Sequence, residues 1–230
     1  MGKNSSFLQV PFLNLMATHA ARGGEVHVRV GGNTQDYATL VSSLDDGKVI
    51  EKVAVDTNNP TSTPSLLFTP DLLYMMNNIS NFVPVKWYLG QYLLTDFRRF
   101  KPGYCPITSL MLFHTGIPIN DTSNLRLGIV TAGEQILGDN LIGFQVGNEP
   151  DLYAAHGHRP STYGPQDYVN DFQTVVNAIA ALPGVANKDN LIGPSIASAD
   201  WQPSDVWNTG FQNTFSQQLK ILSVERYFRC

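Results

Sequence analysis

Gly143-Phe144-Gln145-Val146-Gly147-Asn148-Glu149-Pro150-Asp151-Leu152-Tyr153 is an apolar run that stops on Gly-Asn-Glu-Pro. It reads as a buried strand that delivers one amide and one carboxyl side by side at its C-terminal end. In a parallel α/β barrel, that end of the strand is where chemistry is done. A carboxyl placed there, here Glu149, can work as a general acid/base tuned by its surroundings.

Working outward from 141–147, strands and helices alternate. Downstream come a helix over 165–182 that stops at Pro183-Gly184, a strand over 191–196, a helix over 205–219 and a strand over 221–224. Upstream lie a helix over 123–137 capped by Ser123, a strand over 83–89, and a helix over 70–78 with Thr69 as its cap and Pro70 at its first position. A strand over 26–30 follows a helix over 7–22 that Gly23-Gly24 ends. Runs 38–44 and 49–55, joined by Asp45-Asp46-Gly47, read as a hairpin that decorates the loop after the first strand. The alternation indicates βα units and an α/β fold with a parallel sheet. Five strands are visible, beginning on a helix and ending on a strand. That pattern fits either an open doubly wound sheet or part of a barrel with both ends missing.

Composition narrows the function. With 230 residues, 43% hydrophobic and 15% charged, the chain is one domain or most of one, with ample apolar material for a core. A net charge of −4 argues against nucleic acid as a partner. No apolar run is long enough to cross a membrane, and no signal peptide is visible. Cys105 and Cys230 do not make a disulfide framework. His156-Gly157-His158 lacks a third ligand, so neither a metal nor another cofactor is expected. Sequons at Asn4, Asn78 and Asn120 occur about as often as chance allows. Met1-Gly2-Lys3-Asn4-Ser5-Ser6 fits a myristoylation pattern.

If the sheet is parallel, the residues that follow each strand share one face. They are Asn33 and Gln35, then Asn148 and Glu149, then Ser195, then Glu225 and Tyr227. This face is rich in amides, hydroxyls and carboxylates and poor in cations, which suits a polyol such as a sugar. There is no Gly-rich phosphate loop or dinucleotide fingerprint. Each feature also has a plainer reading. Gly31-Gly32-Asn33 can be a tight turn, Glu149 a helix cap, and Glu225 half of a structural salt bridge. Tyr163, Tyr168 and Trp201 read as core aromatics ahead of a sugar-stacking platform.

Several segments together resemble glycoside hydrolase family 79, the β-glucuronidase and heparanase family, in its fungal branch. They are Val28-Arg29-Val30-Gly31-Gly32-Asn33-Thr34-Gln35, Leu67-Phe68-Thr69-Pro70-Asp71-Leu72-Leu73-Tyr74, Val85-Lys86-Trp87-Tyr88-Leu89-Gly90, the opening motif extended to Pro160, and Leu191-Ile192-Gly193-Pro194-Ser195. The resemblance implies a (β/α)8 barrel, of which this chain would hold about strands two to six. It also implies a C-terminal β-sandwich that is absent here, and secretion of the parent protein. It implies a retaining mechanism with two carboxyls about 5–5.5 Å apart. By that resemblance Glu149 is the acid/base and Asn148 the amide that meets the sugar 2-hydroxyl. Asn33, Gln35, Asn120, Ser195 and Tyr227 line the substrate face.

The departures matter as much. The family's nucleophile comes from a later strand, so Glu225 is not given that role. The first barrel strand should precede residue 7, which makes the myristoylation pattern an accident of position. The family also runs from Trp-Tyr-Leu-Gly directly to the Ile-Pro that begins at Ile117. Residues 91–116, which hold Arg98, Arg99, Lys101 and Cys105, lie between and read as a non-native insertion such as a translated intron. Arg226 and Phe228 stand where the family usually has His and Pro. The expected function is a glycosidase fragment acting on β-glucuronides or related uronic-acid glycans, inactive alone. The alternative is a non-catalytic carbohydrate-binding pseudoenzyme.

Overall fold

A computed structural model describes residues 1–52, 65–90 and 117–225. Segment 91–116, both cysteines and Tyr227 lie outside the described residues. In chain order the elements are β1 (Gly2–Asn4), β2 (Phe7–Leu8), α1 (Val10–Gly23), β3 (Val26–Val30), β4 (Ala38–Leu40), β5 (Ile50–Lys52), β6 (Leu66–Phe68) and α2 (Asp71–Phe82). Then follow β7 (Val85–Leu89), α3 (Gly128–Leu137), β8 (Leu141–Gln145), α4 (Pro165–Ala180), β9 (Leu191–Ile196), α5 (Pro203–Trp207), α6 (Phe211–Thr214) and β10 (Leu219–Val224).

The five strands expected from the alternation form one sheet in the order β10-β9-β8-β7-β3, and every pairing is parallel. The fold is therefore mixed α/β, consistent with part of a (β/α)8 barrel. The sheet is curled. Arg29 on β3 and Glu225 just past β10 belong to opposite edges, yet Arg29 Nη2 lies 4.0 Å from Glu225 Oε1. Across a flat sheet four inter-strand steps span about 19 Å. Side chains standing off one face of a flat sheet do not close that gap.

Helices cover the convex side. Leu89 and Phe144 press on Gly133 of α3, while Tyr168, Phe172 and Phe211 of α4 and α6 press on Gly193 of β9. Trp87 is fully buried and donates its indole N–H to Ser80 of α2 at 2.7 Å. Each fully buried Phe or Leu in this layer contributes about 1.5–3 kcal/mol by leaving water. Tyr163, Tyr168 and Trp201 belong to this packing: all three are buried, and the ring centroids of Tyr163 and Tyr168 lie 5.8 and 6.4 Å from that of Trp201.

The structure corrects five local expectations. The first helix starts at Val10, because Pro11 favours a helix's first turn, and residues 2–8 form the β1–β2 hairpin instead. The Asp45–Gly47 turn is present, but among the described residues, which leave out 53–55, its flanks do not pair with each other. β6, which periodicity did not reveal, lies between them, parallel to β4 and antiparallel to β5. This small sheet is separate from the main one, as a decoration would be. Thr69 caps nothing; its N–H bonds to the Val49 carbonyl across that sheet. Ser123 is held by the Asp121 carboxylate in a local turn, and the helix begins only at Gly128. The expected helix 205–219 is two short helices, α5 and α6, with Gly210 in the left-handed region at α6's N-terminus.

Candidate active site

The Gly147-Asn148-Glu149 turn is held by backbone from both neighbouring strand lines. Val146 N–H bonds to Ile192 O, and Gly147 N–H bonds to Ile117 O at 2.9 Å. Glu149 stands in the left-handed region at φ 50°, ψ 54°, an unusual place for a glutamate. Such a conformation costs on the order of 1–3 kcal/mol and persists where its surroundings over-determine it. Here they do. Glu149 N–H bonds to the Ser195 carbonyl at 3.1 Å, and Ser195 is itself left-handed at φ 55°. Two residues on, the Asp151 carboxylate accepts the N–H groups of Ala197 and Ala199 at 2.8 and 2.9 Å. Burial raises the Asp151 pKa, and those amide bonds oppose the rise.

The helix-cap reading of Glu149 does not hold. The 3-10 turn Pro150–Leu152 follows it, and no side-chain cap bond is made. The buried carboxyl instead lies beside Asn148, whose Nδ2 donates to Glu149 Oε2 at 3.5 Å. The other end of that amide is fixed by Arg29, whose Nη2 donates to Asn148 Oδ1 at 3.4 Å. Arg29 Nε also donates to the Gly90 carbonyl at 2.6 Å. This approach depends on glycine: a Cβ on Gly31 would sit 2.3 Å from the Gly90 carbonyl carbon, and one on Gly90 would sit 1.9 Å from Gln145 Cβ.

Glu225 closes the far side of the concave face. It is 1% exposed, and Arg29 and the Gln145 amide stand beside its carboxyl. Burial drives its pKa well up; Arg29 and the Gln145 amide pull it back, and Glu149 pushes it further up. The salt-bridge reading of Glu225 is met in part, since Arg29 is near but at 4.0 Å.

The remaining candidates fall at different depths. Gln35 is fully buried, and its Nε2 donates to Ile117 O and Gln145 O at 3.3 and 3.4 Å, so it props the strand ends from below. Ser195 is fully buried with its hydroxyl against that of Ser223, and it serves Glu149 through its carbonyl. Asn120 is partly exposed, and its buried Oδ1 has no hydrogen-bond partner among the described residues. Asn33 opens the 3-10 turn Asn33–Tyr37 after β3. Among the described residues no group of three His, Cys, Asp or Glu is placed to hold a metal, and no helix is long and apolar enough to cross a membrane. His158 Nδ1 pairs with the Tyr37 hydroxyl at 2.8 Å.

Sequence reasoning missed Arg29, Asp36, Gln145 and Tyr153. Arg29 had a signal, as a charged residue alternating with valines in Val26–Val30. That pattern turns His27 and Arg29 away from the helices. Asp36 had none. It is buried, accepts the Tyr153 hydroxyl at 3.0 Å, and its pKa rises to about 8 through burial, against the pull of Tyr153 and Arg126.

No family model matches the chain. It is similar to a β-glucuronidase of Aspergillus niger, 25% identical over 219 residues that cover 90% of this chain and 35% of that protein. It is also similar to a β-glucuronidase of Neurospora crassa, 24% identical over 221 residues, covering 89% of this chain and 34% of that protein. The chain thus spans about a third of the length of the curated relatives it matches. This distant similarity supports a glycosidase-like relationship.

Proposed function

We propose that this chain carries the acid/base side of a retaining glycosidase site for β-glucuronides or related uronic-acid glycans, on about strands two to six of a (β/α)8 barrel of the family 79 type. In the whole protein a second carboxylate would bond to the anomeric carbon as Glu149 gives its proton to the departing glycosidic oxygen; Glu149 then takes a proton from the water that displaces that carboxylate. Asn148 offers its amide to the sugar 2-hydroxyl. Glu225 is left out of the nucleophile role because it sits at 1% exposure behind Arg29. Without the second carboxyl, the chain alone is expected to give no useful hydrolysis. The parent protein's place is proposed to be extracellular.

The observation that carries this reading is the left-handed Glu149 beside Asn148, buried at the C-terminal end of a central parallel strand. The similarity to two fungal β-glucuronidases supports the choice of substrate class. Calorimetric titration with a thio-β-glucuronide and the matching thio-β-glucoside tests it. The expected result is tighter binding of the glucuronide, weakened about tenfold in Asn148→Ala. No sugar binding to a folded sample, or binding indifferent to Asn148→Ala, overturns it. Turnover of an O-linked β-glucuronide that Glu149→Gln leaves unchanged overturns the acid/base assignment.

A further inference from the structure

Beneath the Asn148-Glu149 turn runs a chain of hydrogen bonds that the proposed chemistry does not use. Asn148 N–H donates to the Tyr153 hydroxyl oxygen at 3.0 Å, and that hydroxyl donates to Asp36 Oδ1 at 3.0 Å. Asn148, Tyr153 and Asp36 are all buried. Tyr153 follows the Pro150–Leu152 turn, whereas Asp36 comes from the loop after β3, more than a hundred residues earlier. The backbone carbonyl of Asp36 also accepts a bond from Arg126 Nη2. The loop that carries Asp36 is therefore fixed independently of its carboxyl.

We propose that Asp36 and Tyr153 are positioning residues for the Asn148-Glu149 turn, transmitting the charge state of Asp36 to the Asn148 backbone amide through the Tyr153 hydroxyl. The functional half of this inference rests on the reading of Asn148 and Glu149 as sugar-facing groups. When Asp36 is ionised, the Tyr153 O–H donates to a full negative charge, and its oxygen becomes the better acceptor for Asn148 N–H. When Asp36 is neutral, both bonds slacken together. The groups that face Asp36 are Tyr153, Arg126, Glu149 and Arg159, with Tyr37 beside it. Burial and Glu149 oppose the charged form of Asp36, while the Tyr153 hydrogen bond, Arg126 and Arg159 favour it, which places the change near pH 8. A structural carboxyl with no relay would titrate without moving the Asn148 amide.

The experiment follows the Asn148 backbone amide by 15N–1H NMR from pH 6 to 9.5 in the full chain, in Asp36→Asn and in Tyr153→Phe, with thio-β-glucuronide affinity measured across the same range. The expected wild-type result is an Asn148 amide proton that moves with a single midpoint near 8 and moves in neither variant. Glucuronide affinity is expected to change about fivefold across that midpoint in the wild type and to be flat in Asp36→Asn. An Asn148 amide that does not titrate in the wild type overturns the relay, whatever the variants do and whether or not they fold. An amide that titrates in a chain that binds no glucuronide upholds the relay and sinks the sugar-site reading alone. Glucuronide affinity that is flat with pH while the amide titrates overturns the positioning role.

Discussion

Arg29 Nη2 and Glu225 Oε1 stand 4.0 Å apart across the concave face of the sheet, one from each of its two edge strands. The same guanidinium donates to Asn148 and to the Gly90 carbonyl, so one cation ties the curl of the sheet to the amide beside Glu149. Glu225 is the more buried partner, and its ionised form depends on that cation.

That asymmetry predicts a rescue. At a pH high enough to ionise Glu225, Arg29→Met is expected to destabilise the chain by about 3 kcal/mol, because an uncompensated buried charge is costly; at lower pH the carboxyl holds a proton and the loss shrinks. Glu225→Gln in the same chain is expected to restore most of that loss. Urea unfolding of the two single variants and the double variant closes the cycle. A double variant less stable than Arg29→Met contradicts the pairing.

Stability is expected to fall as pH rises from about 4 to about 8. Asp36 has a folded pKa raised from 3.8 to about 8, and that of Glu225 is raised as well. Between the unfolded and folded values the native state holds protons that the unfolded chain has released. The stability is therefore fully present below about pH 4, is lost on the way up, and levels off above the folded pKa. Asp36→Asn is expected to flatten the decline by on the order of a few kcal/mol. Thermal melts at pH 4.5, 6 and 8 check this, and an Asp36→Asn profile as steep as the wild type's counts against it.

Segment 91–116 is proposed to interrupt a single strand. Leu89 pairs with Phe144, Gly90 abuts Gln145, and Ile117 bridges Val146 in parallel, so Ile117 takes the register step that follows Gly90. Joining Gly90 to Ile117 directly is expected to give a soluble chain at least as thermally stable as the present one. A deletion variant that loses its cooperative melt contradicts this.

The sheet was legible in the sequence because buried parallel strands read as short apolar runs, as Leu141–Gln145 and Leu191–Ile196 do, while Val26–Val30 alternates valine with His27 and Arg29. Asn148 and Glu149 were legible for the same reason, being the first polar pair after one of them. The β4-β6-β5 order was not: strands of three residues carry too little periodicity, and β6 comes later in the chain than both strands it pairs with. Asp36 and Tyr153 were hidden because their meaning lies in a contact over more than a hundred residues of chain. Arg29 was visible as an anomaly in a valine strand, but only the curl of the sheet gives it its two partners.

The central claim is that Glu149 faces bound sugar. It is tested most directly by 13C NMR of carboxyl-labelled glutamates during titration with a thio-β-glucuronide, with Glu149→Gln used to assign the resonance. The account predicts that the Glu149 carboxyl resonance shifts to saturation with the sugar, and that Asn148→Ala weakens the response about tenfold. A Glu149 resonance that stays put while the glucuronide saturates the protein would contradict it.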